Sequence, residues 1–516
     1  MTRNISVPTA LSTLLLAVCS GLWGCGDSTP VTATEPENVL QASDTNSEAE
    51  NRWMVSMLNG SKIAHVRTSL VHHDDAPEGN SPGWTEEAEI QMSVDRFGQQ
   101  AAPSASYRGQ LTANGQLLSF ECTTRFGKKP QRIHGKWQAG QLEIKHESGE
   151  TTTIKCPEGC GGFLAVDLSL RQQPLKAGEK RTVTHYDAVT GSLAREELHA
   201  KTEEETQLLD GKASLLRIEQ TTHLDAENAI TQVIWSDIEG NILKSQALNT
   251  GSEQYVVSKE QALAKPETSL DLAWATSVPV SYSIADAHQT LRVRYRVHLE
   301  AANPSAIFPE GAGQTVTPID EHSADLIVKA VRPMPFVNNL RRAGDTPPTA
   351  ADVQPNAWIQ SDDARVINLA ESVALDEVDS WKVAQALERL VHDSMHSRNF
   401  NTAMASAAEV VQTREGDCTE HAVLLAAVLR ARQIPARVAV GLVHTESLGG
   451  FGFHMWNEAF IHGAWVPLDA TLGRGGTGAG HIRLNSVSLA GSGGLASLLP
   501  VAQVMGQLKI DVLEVE

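Results

Sequence analysis

Residues Gly416-Asp417-Cys418-Thr419-Glu420-His421-Ala422 are the stretch that decides the fold of this 516-residue chain. Apolar side chains occupy most positions from Cys418 to Arg432, a pattern that predicts a helix buried over most of its circumference. Gly416 breaks the preceding structure, so Cys418 lies at the helix N-terminus. The unpaired N–H groups and the positive end of the helix dipole there favour a thiolate over a thiol, and the same N–H groups can face an oxyanion.

A second element of the fold is a predicted β-hairpin between residues 454 and 469. Its two strand-like segments are separated by His462-Gly463, which suits a two-residue hairpin turn. In that register Trp456 lies opposite Asp469, and His454 and Asp469 are diagonal neighbours on one face of the sheet. Diagonal neighbours have Cα atoms roughly 7 to 8 Å apart, a distance that their side chains can close.

Cys418, His454 and Asp469 therefore supply a thiol, an imidazole and a carboxylate in chain order. Nucleophilic catalysis by cysteine needs a base that takes the thiol proton and an acid that holds this base in the correct tautomer. His421 is an alternative base, but its position one helical turn after Cys418 favours a structural role. Trp456 shares a sheet face with His454, and it either lines a substrate cleft or belongs to the core.

The other histidines of this region give no sign of a metal site. His444, His462 and His481 are interpreted as surface or loop residues, and their spacing matches no metal-binding motif. No acidic loop has the spacing of a calcium site. We therefore expect neither a metal nor another cofactor.

Four motifs resemble the core of the bacterial transglutaminase-like superfamily: residues 416–422, Ile434-Pro435-Ala436-Arg437, His454-Met455-Trp456 and Trp465-Val466-Pro467-Leu468-Asp469. The resemblance extends from Trp358 to about Arg474 and implies a papain-like fold, with the cysteine helix against an antiparallel sheet. It also implies that Cys418 is the nucleophile, His454 the general base and then acid, and Asp469 the residue that orients His454. Members of the superfamily include protein cross-linking enzymes, cysteine peptidases, amidases and inactive binding relatives.

The resemblance defines the chemistry more closely than the substrate. It implies acyl transfer on amide bonds through a thioester intermediate. We favour hydrolysis of peptide or other amide substrates, because water is always available in an open cleft. A protein cross-linking transglutaminase and a non-catalytic envelope adaptor on the same fold are the alternatives.

The N-terminus resembles the signal peptide of a bacterial lipoprotein. Arg3 precedes an apolar stretch from Leu11 to Leu22, and Cys25 follows as the residue that would be lipidated after cleavage. Cys19 is a poorer candidate because Val18 precedes it. The apolar stretch is too short for a comfortable transmembrane span of about 20 residues. We expect an exported protein that faces the periplasm, anchored by lipid to the cell membrane or the outer membrane.

The composition excludes some partners. A formal net charge of −20 disfavours binding to nucleic acid or acidic lipid surfaces, because both need a concentrated positive face. The expected partners are a protein or peptide substrate and, through the lipid anchor, the membrane. Cys122, Cys156 and Cys160 are three thiols, so at most one disulfide forms among them, and export favours one.

Shifts in composition divide the chain into six segments. Residues 1–24 are the predicted signal peptide, 25–50 a flexible linker, 51–280 a β-rich domain, 281–342 a β segment with a linker, 343–475 the transglutaminase-like catalytic domain, and 476–516 a Gly-rich tail with a closing strand. The predicted fold class is α+β, with a mostly antiparallel β region before the catalytic domain. Clean alternation from Leu291 to Leu299 predicts a strand with Arg292, Arg294 and Arg296 on one face, exposed to solvent or paired with acidic neighbours.

Overall fold

The computed structural model of this protein describes residues 51–73, 83–147, 149–223, 229–266, 269–300, 302–331, 346–396, 400, 404–490 and 499–516. The chain divides into two units, with a boundary between Asp271 and Leu272. The sequence alone places this boundary after residue 280. The predicted signal peptide, the lipidation site Cys25 and the linker to residue 50 lie outside the described residues.

The first unit is built on antiparallel strands. They are β1 (Asn51–Leu58), β2 (Ser61–His72), β3 (Trp84–Met92), β4 (Val94–Arg96), β5 (Gln99–Ala101), β6 (Ser104–Leu111), β7 (Leu117–Arg125), β8 (Gln131–Gln138), β9 (Gln141–His146), β10 (Thr151–Lys155), β11 (Lys180–Asp187), β12 (Ser192–Leu208), β13 (Gly211–His223), β14 (Ala229–Ser236), β15 (Ile242–Ala247) and β16 (Glu253–Val257).

Fourteen of these strands form one sheet, which runs from β10 at one edge to β11 at the other and has the pair β2 and β1 at its centre. Strands β4 and β5 form a separate hairpin. The prediction of a mostly antiparallel β region is therefore confirmed. Two helices accompany the sheet, α1 (Ala165–Gln172) and α2 (Lys259–Leu263). Val166 and Leu170 of α1 share a buried cluster with Leu198, Ile218 and Ile234 of the sheet, so this helix covers part of its apolar face.

The three cysteines of the first unit are buried thiols, and no described cysteine is in a disulfide. Cys156 and Cys160 flank the turn after β10, whereas Cys122 lies within β7. A hydrogen bond with Cys160 lowers the pKa of the Cys156 thiol, and the same contact raises the pKa of Cys160. Cys156 and Cys160 are thus the neighbouring pair, and burial raises the pKa of Cys122.

The strands of the second unit form two sheets. They are β17 (Val278–Pro279), β18 (Arg292–His298), β19 (Gln314–Pro318), β20 (Ser323–Lys329), β21 (Ala436–Thr445), β22 (Gly450–Ile461), β23 (Ala464–Leu468), β24 (His481–Val487) and β25 (Lys509–Val515). In the five-stranded sheet, β17 and β23 pair with one edge of β22, and β21 and then β24 follow on its other edge. The four-stranded sheet has the order β19, β20, β18, β25. Residues 476–516 therefore contribute a strand to each sheet.

Strand β18 has the pattern that its sequence predicts. Arg292 forms an ion pair with Glu514 of β25 at 3.2 Å. Arg294 and Arg296 both pair with Asp325 of β20, at 3.1 and 2.9 Å. The arginine face is thus paired with acidic groups on both neighbouring strands.

The helices of the second unit surround the segment that carries Cys418. They are α3 (Leu272–Ala275), α4 (Pro304–Ile307), α5 (Ala364–Ala370), α6 (Ser380–Ser394), α7 (Ala407–Thr413), α8 (Cys418–Ala431) and α9 (Leu499–Val504), with a 3₁₀ turn at Ala350–Asp352. Helix α8 packs against α5, α6 and α7 and against strands β21 and β22. All but the last of its residues are buried, as its apolar sequence predicts.

Candidate active site

Helix α8 begins at Cys418, and the residues before it explain why. Gly416 has φ 146°, and a side-chain carbon there would collide with the side chain of Glu420. The Asp417 carboxylate accepts a hydrogen bond from the Thr419 N–H at 2.9 Å. In return Glu420 accepts the Asp417 N–H at 3.0 Å. This reciprocal capping box fixes the first turn of the helix, so Cys418 has a defined position.

The turn around Cys418 is also anchored from outside the helix. The second oxygen of the Glu420 carboxyl accepts the N–H of Ala405 at 2.9 Å. Burial raises the pKa of Glu420, and the nearby charge of Asp417 adds to this effect. The Cys418 side chain has no exposed surface. It therefore lies in a closed environment at the N-terminus of a helix, where the positive end of the helix dipole favours a negative charge.

The hairpin has the predicted register. His462 and Gly463 have φ values of 50° and 84°, which is the geometry of a two-residue turn with two left-handed residues. Ile461 pairs with Ala464, and the ladder continues to Asn457 opposite Leu468. Asp469 follows directly after the last pair, as its diagonal relation to His454 requires.

His454 and Asp469 form a buried hydrogen bond. The distance from His454 Nε2 to Asp469 Oδ2 is 2.9 Å, and both side chains are inaccessible to solvent. The other carboxylate oxygen, Oδ1, accepts the N–H of Thr471 at 2.9 Å. Burial opposes ionisation of Asp469, but the imidazole of His454 and the hydrogen bonds to Asp469 hold its pKa well below the usual value. The carboxylate is thus ionised and fixed, and it holds one nitrogen of His454.

Trp456 and His421 lie where the sequence suggests. The Trp456 ring stacks on the His454 ring with centroids 6.0 Å apart and an interplanar angle of 20°. Nδ1 of His421 donates to the Asp417 carbonyl oxygen at 2.6 Å, so this ring supports the helix cap. Burial lowers the pKa of His421, which favours its neutral form.

The interpretation of His481 and His444 as surface or loop residues is wrong. His481 is the first residue of β24 and is only 4% exposed, and its Nε2 lies 3.0 Å from Asp469 Oδ2. His444 is buried on β21, where its Nε2 accepts the N–H of Ile284 at 3.3 Å. The alternation of residues 481–487 is the signal that predicts a strand with His481 on one face. His462, in contrast, lies partly exposed in the hairpin turn.

Glu388 of α6 connects this helix to the loop that carries Asp469. Its Oε1 accepts the N–H of Asp469 at 3.0 Å and the N–H of Gly476 at 3.4 Å. Burial, together with the charge of Asp469, raises the pKa of Glu388 to about 8. The backbone that follows the hairpin is thus held at two points, Asp469 and Gly476, by one carboxyl group. Its raised pKa favours the protonated form.

A second buried carboxylate stabilises the sheet next to His454. Glu458 lies on β22 and has no exposed surface, and it forms ion pairs with Arg437 and Arg483, each at 2.7 Å. Although burial opposes ionisation, the two arginines lower the pKa of Glu458. The guanidinium of Arg437 also stacks over the Trp465 ring at 4.0 Å. Three strands of the sheet, β21, β22 and β24, are linked by this cluster.

One group of side chains has the spacing that a metal ion would need. Among the described residues, the ligand atoms of His454, Asp469 and His481 lie within 4.8 Å of one another. Hydrogen bonds of 2.9 and 3.0 Å to the carboxylate account for this arrangement.

The second unit thus contains a buried carboxylate hydrogen-bonded to an imidazole and a cysteine at the N-terminus of a capped helix. Residues 367–470 match the model of the transglutaminase-like superfamily. This part of the chain is therefore a transglutaminase-like domain, as its motifs suggest.

Several solved structures are similar to this chain at low sequence identity. One is a candidate cysteine protease from Cytophaga hutchinsonii, with 16% identity over 44% of this chain and 89% of that chain and a TM-score of 0.29. Another is a β-barrel-like protein of a domain of unknown function from Brucella abortus, with 11% identity over 40% of this chain and 95% of that chain and a TM-score of 0.30. A third is the periplasmic domain of TgpA from Pseudomonas aeruginosa bound to ethylmercury, with 15% identity over 36% of this chain and 91% of that chain and a TM-score of 0.20. No curated protein matches the chain.

Within the described residues, no helix has the length and apolar character needed to cross a bilayer.

Proposed function

We propose that this protein is a cysteine-dependent enzyme that cleaves amide bonds by acyl transfer through a Cys418–His454–Asp469 triad. The observation that carries the proposal is the buried hydrogen bond between His454 and Asp469, at 2.9 Å, in the same unit as a cysteine that opens a capped helix. A fully buried Asp–His pair is costly unless both groups are hydrogen-bonded, and here both are.

The roles of the three side chains follow from their chemistry. Asp469 holds Nε2 of His454, so the other ring nitrogen, Nδ1, exchanges protons with the thiol and the substrate. The sulfur of Cys418 attacks the carbonyl carbon, and its proton passes to His454. The positive end of the α8 dipole stabilises the tetrahedral oxyanion. The C–N bond then breaks, His454 protonates the leaving amine, and a thioester remains on Cys418.

The second half of the reaction determines the product. Attack by water gives a carboxylic acid and free thiol, and this makes the protein a peptidase or amidase, the outcome that we favour. Attack by a lysine-like amine gives a new amide bond, and this would make it a cross-linking transglutaminase. The third candidate is an adaptor that binds peptide in the cleft without cleaving it. The complete set of three groups favours an enzyme over an adaptor.

The place of action and the partners belong to the same proposal. We place the enzyme in the cell envelope, exported by its signal peptide and tethered through a lipid on Cys25. Its partner is a protein or peptide substrate rather than nucleic acid, consistent with a net charge of −20. Trp456, which stacks on His454, would form part of the cleft wall.

The test is site-resolved alkylation of Cys418 by iodoacetamide across pH, read by mass spectrometry in the chain without its signal peptide. We expect fast labelling well below the free-thiol pKa of about 8.5, strongly slowed in His454→Ala. Because Cys418 has no exposed surface, each rate also contains the probability that the site opens. The ratio of the wild-type rate to the His454→Ala rate removes this factor if the site opens equally often in both proteins. Hydrogen exchange of peptides from α8 measures the opening of each protein.

Two controls belong to this experiment. Cys122→Ala removes a buried thiol of the first unit and should leave labelling of Cys418 unchanged. His462→Ala removes a partly exposed histidine of the hairpin turn and should also have no effect. Slow labelling that is indifferent to His454 would refute the triad and favour the adaptor.

Product analysis then separates hydrolysis from cross-linking. A reporter amide is incubated with and without a primary amine. Hydrolysis yields free acid in both incubations, whereas cross-linking yields an amine conjugate when the amine is present. A thioester on Cys418 trapped by acid quench would support both hydrolysis and cross-linking and would refute the adaptor.

A further inference from the structure

Two imidazoles share one oxygen of the Asp469 carboxylate. Nε2 of His454 lies 2.9 Å from Oδ2, and Nε2 of His481 lies 3.0 Å from the same atom. With the Thr471 N–H on the other oxygen, both oxygens of the carboxylate have hydrogen-bond donors. All of these groups are buried.

From this geometry we infer that His481 is a positioning residue for the triad: it donates a hydrogen bond from Nε2 to Asp469 and fixes the carboxylate that orients His454. The inference rests on the proposed function of the triad. His481 comes from β24, on the far side of β21 from the hairpin. The carboxylate is therefore held from two separate strands, which limits its rotation in a way that the hairpin alone does not.

The protonation of His481 agrees with a donor role. Burial lowers its pKa, although the hydrogen bond to Asp469 opposes this effect. A neutral imidazole carries one N–H, and a carboxylate can only accept, so the proton lies on Nε2. His481 thus supplies a hydrogen bond without adding a second positive charge next to His454. This matters because a second imidazolium would disfavour protonation of His454 during the reaction.

The surroundings of His481 restrict its ring. It meets the Trp456 ring edge to face at 5.3 Å and the His454 ring at 5.9 Å. The His288 ring meets it edge to face at 5.7 Å. The ring is therefore enclosed by three aromatic neighbours, and its nitrogen is held toward Asp469. A histidine present only to fill the core would not need this orientation.

The experiment compares two substitutions of His481 that differ in one property. His481→Phe keeps a ring but removes the donor, whereas His481→Gln keeps an N–H at a position similar to that of Nε2. We expect alkylation of Cys418 by iodoacetamide to slow about tenfold in the Phe variant, the effect of losing one hydrogen bond to a charged group. The Gln variant should recover most of the wild-type rate. His444→Phe, which alters a buried histidine without contact to Asp469, is the matched control.

A spectroscopic measurement separates positioning from mere stability. Protons shared between imidazole and carboxylate resonate far downfield in proton NMR, and the wild type should show two. Each of the variants His481→Gln and His481→Phe should lose the signal of His481. The remaining signal, that of His454, should shift only in the His481→Phe variant. Thermal unfolding midpoints of the two variants identify any change that comes from destabilisation.

Each other outcome overturns the inference in a recognisable way. If labelling depends on His454 but is unchanged in His481→Phe, the triad stands and His481 is not a positioning residue. If His481→Gln abolishes labelling as fully as His454→Ala does, then His481 is itself a base. If a chelator changes the wild-type rate and either His481 variant removes this response, then the cluster is a cation site. If labelling is indifferent to His454, the proposed function has failed first.

Discussion

Replacement of Glu388 by Gln tests the carboxyl group that holds the loop after Asp469. The neutral carboxyl and the amide both offer an oxygen to the N–H groups of Asp469 and Gly476. They differ in that Gln cannot ionise. The substitution therefore keeps the hydrogen bonds and removes one titration.

The magnitude follows from the pKa of Glu388, which burial raises from 4.5 to about 8. In the unfolded chain the group loses its proton near pH 4.5, whereas the folded protein keeps the proton until about pH 8. Between these values the folded state binds more protons, so the stability of the wild type falls as the pH rises. At about 1.4 kcal/mol per pH unit, the whole interval corresponds to about 5 kcal/mol. Between pH 5 and pH 8 the change is at most about 4 kcal/mol. We expect about 2 to 4 kcal/mol, because the loop can relax around an ionised carboxylate.

The assay is urea unfolding at pH 5 and pH 8, with pulsed hydrogen exchange of peptides from the second unit as the signal. The free energy of unfolding of the wild type should decrease over this range relative to that of Glu388→Gln. Comparison of the two proteins cancels the titration of all other groups. Glu388→Ala is the control: it removes the acceptor, so it should be less stable than Gln at both pH values.

One result would refute the reasoning. If the wild type and Glu388→Gln show the same dependence on pH, then Glu388 is ionised in the folded protein at neutral pH. Burial would then not control its charge.

The remaining predictions concern the sheet and the cap. Glu458→Ala should lower the free energy of unfolding of the second unit by about 3 to 5 kcal/mol, because the buried Arg483 and the partly buried Arg437 lose their counter-ion. A loss below about 1 kcal/mol in urea unfolding would mean that water reaches the cluster. Asp417→Ala removes the N-cap of α8 and should cost about 1 kcal/mol, while Asp417→Asn should retain most of this stability. Equal melting temperatures for Asp417→Ala and the wild type would contradict the capping role.

The sequence predicts those parts of the site that depend on local structure. The start of α8 is determined by Gly416 and Asp417, which act within a few residues of Cys418. The hairpin register depends on a turn of only two residues, so the contact between His454 and Asp469 follows from the strand pattern. Short-range rules are sufficient for both.

The hydrogen bond between His481 and Asp469 does not follow from short-range rules in the same way. Its strand, β24, pairs with β21 rather than with the hairpin strand that precedes it in the chain. A Gly-rich segment separates Asp469 from His481, and it suggests a loop rather than a return to the sheet. The partner of a strand is chosen by packing over the whole unit, so sequence alternation indicates a strand but not its neighbour. The order of the fourteen strands in the first unit depends on packing in the same way.

The complete burial of Cys418 has a consequence for its redox chemistry. Oxidation of a cysteine to sulfenic acid and beyond depends on thiolate character and on access to the oxidant. A thiol with no exposed surface meets peroxide only while the site is open. While the site is closed the enclosing helices and strands protect the sulfur, so damage by oxidants should increase with the frequency of opening rather than with time alone.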